Sequence, residues 1–197
     1  GGDDLILSTD GPFTFAGPVT FGARYTVAIK TQPSAPNQFC TVSNGSGPMP
    51  AHDVETVYVT CSVLKDTVGV SVSGLASGQN VVLLNNGIDP ITVFADGGPF
   101  AFPTQLPDGS SYNVTVGFQP DGQTCSVTNG SGVIAGATVV DPLVTCVDND
   151  YTVGGLLSGL EPGDSVVLQN NAGDNLTLTA DGVFTFASTL NFGDAYN

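Results

Sequence analysis

With 197 residues, 41% of them hydrophobic and only 11% charged, the chain can build real cores and is too apolar to be disordered. Gly (26) and Pro (13) supply about one residue in five, which excludes long helices and suits many short strands joined by turns. Three basic residues (Arg24, Lys30, Lys65) against eighteen acidic ones give a formal charge of −15, so the basic patch needed to neutralise phosphate is missing; this excludes nucleic acid and disfavours an anionic membrane as partners.

The first segment, "GDDLILSTDGPFTF" at 2–15, returns near the end as "GDNLTLTADGVFTF" at 173–186, with nine of fourteen positions identical. Next comes "CTVSNGSG" at 40–47, then the lone histidine, His52, and then "VYVTC" ending at Cys61. Beyond them, strand candidates follow one another. "TVGVSVSGL" (67–75) places Val68, Val70 and Val72 on one face, and "NVVLLNN" (80–86) is an apolar run stopped by an Asn pair. "ITVFADG" (91–97) and "PFAF" (99–102) flank an Asp-Gly hairpin turn. "SYNVTVGF" (111–118) alternates Tyr112, Val114, Val116 and Phe118; "TCSVTNG" (124–130) is closed by Asn-Gly, and "ATVVDPLVTC" (137–146) completes the series. The longest apolar stretches, such as "VVLL" at 81–84, are strand-sized and too short to cross a membrane as a helix.

These segments recur at a fixed interval. "VGVSVSGLASGQNVVLLNN" (68–86) and "VGGLLSGLEPGDSVVLQNN" (153–171) lie 85 residues apart, as do "CTVSNGSG" and "CSVTNGSG" (125–132), and Cys61 and Cys146. The expectation is an all-β chain of tandem immunoglobulin-like β-sandwiches, about seven strands in each 85-residue repeat. Its domains are then a partial repeat at 1–64 lacking its first strands, a complete one at 65–149, and a partial one at 150–197 lacking its last strands.

The pattern "GL…G…VVLQNN…DG.FTF…L..G..Y.V.V…QP.GQ.C.V.NGSG…V.C" resembles the tandem Ig-like repeats of bacterial surface and secreted proteins. "DGxFxF…LxxGxxYxV" (96–116) is also similar to the prealbumin-like modules of adhesin stalks, the Cna-B type. The resemblance spans the chain and implies an extracellular or cell-surface setting and a bacterial source. It departs from Cna-B modules in one respect. Their Lys–Asn crosslink has no repeated lysine here, because Lys30 aligns with Gly117 and Lys65 with Asp150.

Cys40/Cys61 and Cys125/Cys146 enclose the same interval at the same place in the repeat. Cys40 shares a strand face with Val42, and Cys61 with Val57 and Val59, so each pair can close across one core. Disulfides Cys40–Cys61 and Cys125–Cys146 are expected, stabilising each unit by roughly 3 kcal/mol and indicating an oxidising compartment. A zinc site would need CxxC-type spacing or histidine partners, and neither occurs.

Catalytic signals are thin. His52 neighbours Asp53, but adjacent strand residues face opposite ways and no GxSxG elbow exists, so no enzyme is expected. The scattered carboxylates show no pairing for glycoside hydrolysis. Asp148 and Asp150 fall where one unit hands over to the next and are weak calcium candidates; no other cofactor is indicated. Asn44, Asn113, Asn129 and Asn175 begin N-x-S/T tripeptides, of which Asn44 and Asn129 read as Asn-Gly turns.

The role expected is structural: a stalk or filament of head-to-tail disulfide-stapled domains, whose partners are copies of itself or adjacent repeats. The alternative is an adhesin module that binds glycans or host proteins through end loops, although Trp is absent and most aromatics sit in strand pattern. Head and tail duplicate each other under three readings: donation of strands by a neighbouring molecule, a fragment cut from an array, or a window on a continuous polymer of repeats, the last being favoured.

Overall fold

The computed structural model describes residues 2–197 and is all-β, with eighteen strands among the described residues. Two compact units divide the chain, residues 1–64 and 65–197.

The first unit holds β1 (Arg24–Thr26), β2 (Gln38–Ser43), β3 (Ser46–Pro48) and β4 (Tyr58–Val63), paired antiparallel as β1–β3 and β2–β4. Residues 24–30 alternate exposed and half-buried, with Tyr25, Val27 and Ile29 inward. The head, 2–15, forms no strand, and Ile6 is 92% exposed.

The second unit opens with β5 (Lys65–Asp66), β6 (Gly69–Ser73), β7 (Val81–Asn85), β8 (Asp89–Val93), β9 (Gly97–Ala101) and β10 (Leu106–Pro107). There follow β11 (Ser111–Phe118), β12 (Gln123–Thr128), β13 (Ser131–Val133) and β14 (Leu143–Asp148). Two four-stranded sheets result, ordered β13-β11-β7-β8 and β12-β14-β6-β9; β14 and β6 run parallel and every other pair is antiparallel. Both sheets feed one buried cluster: Val81, Leu83, Val93, Tyr112 and Val114 from the first, and Val70, Val72, Cys125, Val144 and Cys146 from the second, joined by Val68, Phe102 and Ile134 from just outside the strands. Alternation dictates this, because every second residue of a strand faces the same way.

The tail carries β15 (Asp150–Leu157), β16 (Val166–Asn170), β17 (Asp174–Leu178) and β18 (Gly182–Asn191), paired as two ribbons, β15–β18 and β16–β17. Gly155 opposes Phe184 and Leu157 opposes Gly182, as Val70 opposes Phe100 and Val72 opposes Gly97.

Three local expectations need correction. Asp96-Gly97 is not a hairpin turn: β8 pairs with β7 and β9 with β6, so the chain crosses there from one sheet to the other. Asn129-Gly130 likewise joins β12 in one sheet to β13 in the other. Asn129 takes the left-handed conformation (φ 53°), and Gly130 packs so tightly that a Cβ would lie 2.7 Å from the Val114 carbonyl oxygen. Phe118 leaves the buried face, because a bulge between Val116 and Phe118 turns its ring outward to 63% exposure.

Candidate functional site

The sulfurs are joined as Cys40–Cys61 and Cys125–Cys146, each bridging directly opposed residues of neighbouring antiparallel strands. A glutamine braces each pair from the preceding loop. The side-chain oxygen of Gln32 accepts the Cys40 N–H (2.8 Å) while its amide donates to the Cys40 carbonyl (3.0 Å). Gln119 does the same at Cys125, at 2.7 and 2.9 Å.

Carboxylates act as backbone hooks. Asp96 accepts the N–H groups of Gly74 (2.9 Å) and Leu75 (2.8 Å), and Asp181 those of Gly159 (2.7 Å) and Leu160 (2.8 Å). Hydrogen bonds from Leu160 and Gly159 hold the Asp181 carboxyl below its usual value, against a small opposing effect of desolvation. A second set recurs three times: Asp3 accepts from Gly17 (2.7 Å), Asp89 from Thr104 (3.2 Å) and Asp174 from Ser188 (2.8 Å). Gln123 is a buried hub. It accepts the Ala76 N–H (2.9 Å) and donates to the Gly74 carbonyl (2.9 Å) and to Asp148 (2.8 Å).

The expected chemical candidates do not converge. His52 is exposed, its Nδ1 lying 2.9 Å from the Asp53 carbonyl oxygen rather than a carboxylate. Asp148 is engaged by Gln123, and Asp150 starts β15; among the described residues no group of three His, Cys, Asp or Glu side chains is placed to hold a metal ion. Asn44, Asn113, Asn129 and Asn175 are all exposed; Asn44 donates to the Thr56 carbonyl and Asn175 accepts from Gln169. No helix among the described residues is long and apolar enough to cross a membrane.

What stands out instead is a set of open strand edges. β1 and β4 each have one strand partner in the first unit, as do β15 and β16 in the tail. A cavity of about 490 Å³ opens in the first unit between Leu5, Ile6 and Leu7 of the head and Val27, Ile29 and Val59. Side chains fully buried in residues 66–148 have half-exposed counterparts here: Val59 against Val144, and Leu168 against Leu83. Edges of this kind are templates for further pairing.

Sequence reasoning overlooked the hooks. The signal was present, since Asp89/Asp174, Asp96/Asp181 and Asn85/Asn170 each recur at 85 residues, but a recurring aspartate does not name the amide it caps. No protein-family model matches the chain, and comparison with curated proteins and with solved structures gives no match.

Proposed function

We propose that this chain is a structural, non-catalytic protein of tandem immunoglobulin-like β-sandwiches with an 85-residue repeat, working outside the cell as a stalk or filament. On this reading residues 65–149 are one whole sandwich, and 1–64 and 150–197 are parts of two more. The observation that carries it is recurrence of the same bonds from one repeat to the next, the disulfides and Asp hooks 85 residues apart and the glutamine braces 87. Both disulfides, both glutamine braces and both Asp–Gly/Leu hooks occur in matching pairs. Modules that repeat their internal contacts add length without adding new chemistry, which suits a spacer. Two disulfides in a small-cored chain are consistent with an oxidising exterior. The proposed kinship with Ig-like repeats of bacterial surface proteins rests on the Gly, Phe and Tyr positions of the sequence.

Negative-stain microscopy of the native material tests this reading: regular rods or fibres are expected. Isolated compact particles, together with saturable glycan binding by the chain, would instead favour an adhesin module acting through its loops.

A further inference from the structure

We infer that the tail of one molecule completes the first unit of a second copy of this chain by strand addition, so that the open edges are a head-to-tail joint. The inference rests on the repeat reading above and specifies its junction. Alignment through the shared Tyr-x-Val and Gln-Pro sets 24–33 against 111–120, and the Cys-Thr/Ser-Val pattern sets 40–63 against 125–148. β1, β2, β3 and β4 then stand for β11, β12, β13 and β14, while β15, β16, β17 and β18 stand for β6, β7, β8 and β9. In the intact sheets β11 pairs with β7 and β14 with β6. The first unit has the former member of each pair and the tail has the latter. Joined, they reproduce both four-stranded orders, β3-β1-β16-β17 and β2-β4-β15-β18.

Three local observations fit that joint. Asn170 is buried, and its Oδ1 lacks a hydrogen-bond partner; in the intact module the Oδ1 of Asn85 accepts the Asn113 N–H at 3.2 Å, and the aligned donor is Thr26 of the first unit. A Cβ on Gly117 would lie 2.8 Å from Leu84 Cγ, so a branched neighbour there requires glycine. At the joint the aligned residues are Lys30 and Gln169, an unbranched amide that can swing aside and accept from the ammonium. Leu143 opposite Ser71 becomes Tyr58 opposite Leu156, both exposed here (61% and 72%) and able to cover each other. Two of the three cations, Arg24 in β1 and Lys30 just beyond it, lie along the accepting segment, and the tail from 150 on carries six carboxylates and no Lys or Arg, although the first unit as a whole is also acidic, with five carboxylates.

Duplicated segments must give way, and each is replaced by its own likeness. The head lies over Val27 and Ile29, tied by the Lys30–Asp4 ion pair, and has no strand pairing to lose. In the tail, the Asn171 N–H bonds the Asn197 carbonyl (3.1 Å) and Asn171 Nδ2 the Ala195 carbonyl (3.0 Å). Asn86 makes the equivalent bonds to Asn113 (2.8 Å) and Ser111 (3.2 Å) of β11, so Thr26 and Arg24 of the second copy can take both over.

The test is sedimentation of the whole chain over a hundredfold concentration range, with mild oxidation of a Tyr58→Cys/Leu156→Cys variant. Mass rising with concentration and a ladder of disulfide-linked oligomers on a non-reducing gel are expected. Gln169→Leu should weaken association at least tenfold, and Lys30→Gly added to it should restore association. A wild-type chain that stays monomeric, a variant that links only within one molecule, or association indifferent to Gln169→Leu would each overturn the joint. Rods in native material without a ladder would sink the joint and spare the stalk; a ladder from a glycan-binding, rod-free protein would do the reverse.

Discussion

At the scale of single residues, the fold is held by side chains that terminate backbone groups rather than by ion pairs. Gln123 shows the economy of this: one buried amide serves an N–H and a carbonyl of the 74–76 turn and a carboxylate at the end of β14. Gln123→Ala would leave these groups unpaired and should destabilise that unit by about 2–4 kcal/mol, seen as a lower urea midpoint at unchanged slope. Asp181 gives a pH signature. Its folded carboxyl lies below the ordinary 3.8, so its contribution is complete above that value and is lost as pH falls through the lower folded one. Amide exchange at Gly159 and Leu160, measured from pH 6 downward and corrected for intrinsic rates, should therefore lose protection in acid, and Asp181→Asn should flatten the dependence. Neither role is apparent from composition, because an aspartate beside a glycine also describes a plain turn.

Among elements, the disulfides decide how the β2–β4 and β12–β14 ribbons hold. Each closes a sequence separation of 21 residues. Reduction should remove roughly 3 kcal/mol from each ribbon by loosening the unfolded chain. A thermal melt with and without reductant measures this, and the first unit, with fewer strands around its bridge, should open first. Strand positions in 66–148 were legible because alternation with β-branched residues has a period of two whatever the partner. Strand partners were not. Asp96-Gly97 and Asn129-Gly130 have hairpin chemistry, yet each carries the chain between sheets, because β8 is already paired along its length with β7, leaving β9 to β6, and β12 is paired along its length with β14, leaving β13 to β11.

For the whole molecule, completeness of the sheets predicts a gradient of protection. Amides of β6, β7, β11 and β14 lie inside four-stranded sheets around a buried core, whereas β1, β4, β15 and β16 each keep one unpaired edge. Hydrogen exchange should be slowest in 69–146, faster in the edge strands and fastest in 2–15. Concentrating the protein should slow exchange at 27–31, 58–60 and 166–170 if the proposed joint forms, and leave 69–146 unchanged.

The sequence by itself determined the all-β character, the periodic reappearance of motifs and the sulfur pairs, since each depends on residue type and spacing along one chain. Tertiary structure alone decided that "GDDLILSTDGPFTF" stays irregular at the start while "GDNLTLTADGVFTF" forms β17 and much of β18 near the end. A strand exists only where another offers it hydrogen bonds. β16 and β15 lie beside the later copy, and no "GLxxGxxVVL" segment accompanies the earlier one in this chain.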